Sequence, residues 1–150
     1  TTDMGADGTQ ANLLSMPGGG SKHPPSYQSV DQRLHFLQMN GTDLFKVAVR
    51  RMADSAKRVI AQANISADEV ACVIPHQANM RSVESMAKFS GIPMERVYVN
   101  LDRYGNTSAA SNLIALYEAV RDGRVKPGDR VVLVAFGAGL TWGSLLLEWS

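Results

Sequence analysis

Five consecutive apolar residues, Val70-Ala71-Cys72-Val73-Ile74, constrain this chain more than any other segment. No polar residue alternates with them, so as a strand they are buried on both faces and need a packed layer on each side. Pro75 follows, and a residue with fixed φ and no N–H ends the ladder there. Helical spacing flanks the strand. Upstream, Phe45, Ala48, Val49, Met52, Ala56, Val59, Ile60 and Ala63 recur on one stripe; downstream, Met80, Val83, Met86 and Ala87 do the same. A doubly buried strand between amphipathic helices predicts an α/β layered fold with a largely central sheet.

The rest of the chain extends this alternation. Asn40-Gly41-Thr42-Asp43 is a helix start with Thr42 as candidate N-cap, and the helix should run to about Gln62. Ser66-Ala67-Asp68-Glu69 has the form of a capping box. The second helix spans Asn79 to Phe89, and Gly91 with Pro93 stops it. Val97-Tyr98-Val99 reads as a short strand. Ser108 to Val120 is a third helix, with Ala109, Leu113, Leu116, Tyr117 and Val120 on one stripe. Lys126-Pro127-Gly128-Asp129 suits a type II turn. Strands are expected over Arg130 to Phe136 and Leu140 to Trp149. Gly137-Ala138-Gly139 joins them too tightly for a crossover, so they should be antiparallel. Before all this, Asn12 to Met16 reads as a strand, Pro17 to Pro25 as a Gly- and Pro-rich loop, and Gln32 to Met39 as a further strand.

Composition excludes several classes. At 150 residues the chain suffices for one domain with a real core, and 45% hydrophobic against 19% charged residues is not the balance of a disordered segment. A formal charge of +1 gives no global pull toward nucleic acid or membrane. Cys72 is alone, so no internal disulfide forms. No apolar run reaches the length of a membrane span. The opening Thr1-Thr2-Asp3-Met4-Gly5 is no signal peptide and lacks an initiator Met, which predicts a start inside a larger protein or a cleavage.

Two polar residues stand where an apolar run gives way to a helical pattern. His76 lies just past Pro75, at the carboxyl end of the buried strand, where open α/β sheets build sites. Asn106 lies in Tyr104-Gly105-Asn106-Thr107-Ser108-Ala109-Ala110-Ser111, ahead of small residues that permit close approach. Each has a plainer reading: a histidine satisfying a loop carbonyl, and a Gly-Asn turn leading into a tight helix contact. Gly137-Ala138-Gly139 can offer backbone N–H groups to an oxyanion or serve only as a turn, and with no helix after it, it is not a nucleotide fingerprint. Cys72 shares a strand face with His76 but sits about 13 Å away along the rise, and a thiol in apolar surroundings is inert. His23 and His35 fall in polar context, and no metal-ligand spacing is found. Lys46, Arg50, Arg81 and Lys88 fall near the starts or outward faces of the helices framing His76, either solvated or forming a patch for an acidic partner.

Pro75-His76-Gln77-Ala78-Asn79-Met80-Arg81 and Asp102-Arg103-Tyr104-Gly105-Asn106-Thr107-Ser108-Ala109-Ala110-Ser111 resemble signature segments of β-ketoacyl-acyl-carrier-protein synthase III. Ala135-Phe136-Gly137-Ala138-Gly139-Leu140-Thr141-Trp142-Gly143-Ser144 resembles that family's C-terminal hairpin, and the likeness runs from about Gly5 to the end. The resemblance implies a thiolase-like layered α/β fold. Residues 1–150 would be its C-terminal half, with lead-in strand and loops to about residue 40. The core from residue 41 onward would hold a mixed five-stranded sheet flanked by helices.

It further implies a Cys-His-Asn triad in which His76 and Asn106 match the second and third members. The nucleophilic cysteine would belong to an N-terminal half absent from this chain; Cys72 does not match it. The implied reaction condenses an acyl-CoA, expected to be acetyl-CoA, with malonyl-ACP by decarboxylative Claisen chemistry, initiating fatty acid synthesis. His76 and Asn106 would stabilise the enolate-like oxygen, and the backbone N–H of Ala138, where many relatives have Gly, would be an oxyanion donor. Gly41, Phe45 and Asn79 resemble positions lining the CoA tunnel, and Phe136 one that packs near the active site. Arg81, with Lys46 and Lys88, resembles the docking surface for acidic acyl carrier protein. The implied enzyme is a cytoplasmic homodimer with no metal and no cofactor, its substrates being the CoA and phosphopantetheine thioesters. Two other readings remain: a non-catalytic domain binding carrier protein or CoA, and a related condensing enzyme of secondary metabolism.

Overall fold

The computed structural model describes all of residues 1–150. Its centre is a four-stranded sheet in the order β1-β6-β5-β4, from β1 (Thr2–Ala6), β4 (Val70–Pro75), β5 (Arg130–Gly137) and β6 (Thr141–Glu148). β4 runs parallel to β5; β5, β6 and β1 are successively antiparallel, so the sheet is mixed. The β5–β6 hairpin is antiparallel, as the tight glycine connection requires. Residues 126–129 turn as predicted: the Asp129 N–H donates to the Lys126 carbonyl and Gly128 has φ +89°.

Helices cover both faces. α2 (Gly41–Gln62) and α3 (Met80–Ser90) pack on one face, where Met52, Val59, Val73, Val83, Met86 and Val132 form the larger core. α5 (Ala110–Arg121) covers the other face, its Ala115 and Ala119 packing with Cys72, Ile74 and Val131. The unbroken apolar run of β4 is thus explained: Val70, Cys72, Val73 and Ile74 are all fully buried.

Several expectations need correction. The fifth sheet position is filled by a single bridge, Val73 to Val97, rather than by a strand over Val97–Val99; the chain turns at Met94–Arg96 just before it and enters the short helix α4 (Leu101–Tyr104) soon after. The edge strand β1 carries no local strand pattern and exists because its partner β6 lies far along the chain. Gly5 permits the pairing: a Cβ there would sit 2.5 Å from the Trp142 ring. In the lead-in after β1, only Leu14–Ser15 (β2) and Gln38–Met39 (β3) pair, as a small separate sheet. The five-residue helix α1 (Tyr27–Asp31) was not expected; Ser26 and Ser29 cap it reciprocally. α2 begins with Asn40 as N-cap, its side chain accepting from the Asp43 N–H, so Thr42 lies inside the helix. On α5 the buried face is Ser111, Ala115, Glu118 and Ala119; of the expected stripe, Leu116 and Val120 pack beside it, while Leu113 and Tyr117 are 65% and 67% exposed. Small residues win the inner face because they let the helix approach closely enough for Asn112 Nδ2 to reach the Ile74 carbonyl at 2.8 Å.

Candidate active site

His76 is the first residue beyond β4. Its backbone N–H donates to the Val134 carbonyl at 2.7 Å, extending the β4–β5 ladder by one rung and fixing the residue at the carboxyl end of the sheet. The ring is half-buried, and its Nδ1 lies 2.8 Å from Ser111 Oγ near the start of α5. Burial lowers the imidazole pKa, since the cation loses hydration that no nearby carboxylate replaces. The ring is therefore neutral at physiological pH.

Asn106 lies in the exposed turn between α4 and α5. Its Oδ1 accepts from the Ser108 N–H at 2.8 Å, and its Nδ2 donors have no partner in the chain. The carbonyl of the same Ser108 accepts from the Ser111 backbone N–H at 3.2 Å and lies 2.9 Å from the Ser111 hydroxyl. A continuous path thus joins the two candidates: His76 to Ser111, Ser111 to Ser108, Ser108 to Asn106. Ser108 holds φ +54°, a left-handed conformation that brings its N–H and carbonyl to these two partners.

A second polar layer lies behind the first. Gln77, fully buried, donates to the Pro75 carbonyl at 2.8 Å and the Tyr98 carbonyl at 3.3 Å, and accepts from the Asn100 N–H at 3.1 Å. Asn100 Nδ2 donates to Glu118 at 2.9 Å. The Glu118 carboxylate, 2% exposed, also accepts from the Tyr104 hydroxyl at 2.6 Å and pairs with Arg103 at 2.7 Å. These bonds hold its pKa below the usual carboxylate range. The loop that ends at Asn106 is therefore tied to both α5 and the His76 segment. Sequence reading named Ser111 only as one small residue in a run, and it missed Asn112 and Glu118 as anchors. Ser111 and Glu118, seven residues apart and so on one helix face, were the available signal; Asn112, beside Ser111, lies off that face.

Of the other predicted residues, Gly41, Phe45, Lys46, Asn79 and Arg81 lie at the starts of α2 and α3 and Phe136 and Ala138 on the β5–β6 hairpin, whereas Lys88 lies at the far end of α3. The β5–β6 turn carries Ala138, whose N–H has no hydrogen-bond partner in the chain. The turn is clasped from behind: buried Leu140 exchanges two backbone bonds with Asp7, at 2.8 and 3.0 Å. Phe136 is half-buried against the larger core. Asn79 is exposed and caps α3, its Oδ1 accepting from the Ser82 N–H at 2.9 Å. Arg81 stacks over the Phe45 ring at 4.6 Å, which brings the first turns of α2 and α3 together. Gly41 is exposed at the start of α2. Lys46 pairs with Asp43 at 3.3 Å on the surface, and Lys88 is exposed in the last turn of α3. Two clefts of about 300 Å³ lie elsewhere, one lined by Glu69, Asp129 and Arg130, the other by Lys22, His23 and Gln28. Cys72 is buried in the smaller core with its thiol pushed up to about 11, and takes no part.

Residues 60–149 match the family described as 3-oxoacyl-[acyl-carrier-protein (ACP)] synthase III C terminal. The chain belongs to that family. It is 50% identical over 148 residues to the β-ketoacyl-[acyl-carrier-protein] synthase III of Desulfitobacterium hafniense, covering 99% of this chain and 45% of the relative. It is 45% identical over 150 residues to that of Clostridioides difficile, covering all of this chain and 46% of the relative. The crystal structure of 3-oxoacyl-[acyl-carrier-protein] synthase III from Aquifex aeolicus superposes with a TM-score of 0.85 at 42% identity, over 99% of this chain and 43% of that one. The chain thus spans less than half the length of the synthase III proteins it matches. Its architecture is the thiolase-like α/β fold of that family, as the sequence resemblance implied.

Proposed function

We propose that this chain supplies the His and Asn of a β-ketoacyl-acyl-carrier-protein synthase III site, completed by a nucleophilic cysteine on an N-terminal half. The observation that carries the reading is the bonded path from His76 through Ser111 and Ser108 to Asn106, in a chain of this family. Acetyl-CoA is the proposed acyl donor and malonyl-ACP the acceptor. Once the cysteine is acylated, the malonyl thioester loses CO₂ and the freed electron pair becomes an enolate. The enolate carbon attacks the acyl carbonyl; a C–C bond forms and the C–S bond to cysteine breaks. His76 Nε2 and Asn106 Nδ2 donate to the enolate oxygen as its charge develops. The free Ala138 N–H donates to the oxyanion of the acyl carbonyl. Gly41, Phe45, Asn79 and Phe136 flank the pantetheine path, and Arg81, Lys46 and Lys88 meet acidic carrier protein. The complete enzyme is proposed to act as a cytoplasmic homodimer without metal or cofactor.

The test is co-expression with the complementary N-terminal half and an assay of acetyl-CoA:malonyl-ACP condensation. Activity is expected only when both parts are present; no rate from the pair sinks the reading. In the active pair His76→Ala should slow malonyl decarboxylation about a hundred- to a thousandfold while acyl transfer to cysteine survives in part. An unchanged decarboxylation rate removes His76 from this role.

A further inference from the structure

Ser111 Oγ meets three polar atoms: His76 Nδ1 at 2.8 Å, the Ser108 carbonyl at 2.9 Å and the Gln77 N–H at 3.3 Å. A hydroxyl has one proton to give and two lone pairs to offer. The Gln77 N–H only donates and takes one lone pair. The Ser108 carbonyl only accepts. His76 Nδ1 does either, according to the ring's tautomer. The single hydroxyl proton therefore has two possible destinations, and its choice sets the imidazole. If it goes to Ser108, Nδ1 must carry a proton and donate to Oγ, which leaves Nε2 a bare lone pair. If it goes to Nδ1, the ring proton sits on Nε2. Ser108 is not orphaned in that second arrangement, because the Ser111 N–H also reaches its carbonyl, at 3.2 Å. Ser111 is 2% exposed, so water does not readily substitute for its hydroxyl. Donation from Gln77 into Oγ polarises the O–H and makes it a better donor.

We infer that Ser111 is a positioning residue for His76: its hydroxyl donates to Nδ1 and holds the ring as the Nε2–H tautomer. This rests on the proposed role of His76, since only that tautomer of the neutral ring can donate to a forming enolate oxygen through Nε2. Ser111 is given no contact with substrate. It acts by settling which ring nitrogen holds the proton before substrate arrives.

The test is nitrogen NMR of isotope-labelled histidine in the chain co-expressed with its complementary half, with His76→Gln used to assign the signal. Ring nitrogen shifts separate protonated from bare positions. At neutral pH the native protein should show a protonated Nε2 and a bare Nδ1. Ser111→Ala should mix the tautomers and lower kcat for condensation about tenfold, the size of one neutral hydrogen bond, with KM for malonyl-ACP little changed. Ser111→Thr keeps the hydroxyl and should restore both readouts. A native ring protonated on Nδ1 overturns the inference. So does a Ser111→Ala variant with an unchanged tautomer, whatever its rate, because a rate loss alone would mark packing. The shifts are read without turnover. A His76→Ala pair that retained full decarboxylation would therefore sink the condensing role and leave the tautomer assignment to stand or fall separately.

Discussion

His76 loses solvation without gaining a countercharge, so its folded-state pKa falls below the ordinary value of about 6.5. The consequence for stability has a definite sign. Below about pH 6.5 the unfolded chain takes up a proton at this residue that the folded one refuses, so the unfolded state gains. The contribution of His76 is intact above the unfolded pKa and is lost as pH falls from there through the lowered folded value. Urea unfolding of the native chain against His76→Gln should show the native chain losing stability relative to the variant across that window. Parallel stability curves would mean that the ring is solvated. At this scale the sequence was informative where a residue's neighbours along the chain decide its place. Pro75 ends a buried strand, so His76 falls at the sheet's carboxyl end. It was uninformative where partners come from afar: the Ser111 hydroxyl reaches His76 across 35 positions, and no local pattern announces it.

Elements were legible in proportion to the periodic apolar surface they carry. α2 and α3 each present a long stripe to the larger core, and both appear within a residue or two of their expected ends. The start of α2 was missed by two residues because Asn40, Thr42 and Asp43 all have capping side chains, and tertiary placement chose among them. β1 went unpredicted for the opposite reason: a sheet edge needs little apolar patterning and takes its conformation from a partner strand, whereas Val97-Tyr98-Val99 has strand-like residues but pairs only through the Val97 bridge. Asn79 shows how an element boundary and a candidate contact residue coincide. Its side chain accepts from the Ser82 N–H, so Asn79→Ala should destabilise the chain by about 1 kcal/mol in denaturant unfolding, the usual cost of losing an N-cap. Asn79→Asp should recover that stability, because a carboxylate caps as well as an amide. If Asn79 also lines the pantetheine path, the Asp variant should still raise KM for the CoA substrate. Stability unaffected by Asn79→Ala would show that the first turn of α3 is held by packing alone.

For the molecule as a whole, the informative error is on α5. Of the stripe expected to face the core, Leu116 and Val120 pack against the smaller core but Leu113 and Tyr117 face outward, and the fully buried face is built of small and polar residues. Both stripes are at helical spacing, so periodicity could not choose between them; the sheet took the face that allows closer approach. Two large apolar side chains, each about two-thirds exposed, then lie on a helix that already covers one sheet. The relatives that match this chain are more than twice its length, and a second α/β layer over α5 would cover those side chains. Burying one leucine fully contributes about 1.5–3 kcal/mol, enough for Leu113 and Tyr117 together to dominate such a joint. Leu113→Ser with Tyr117→Ser should leave the fold of the 150-residue chain intact, because neither side chain joins either core, and should reduce its binding of hydrophobic dye. The same double variant should fail to copurify with the complementary N-terminal half under conditions where the native chain does. Stoichiometric copurification of the variant would place the joint elsewhere, and the outward face of α5 would then need another explanation.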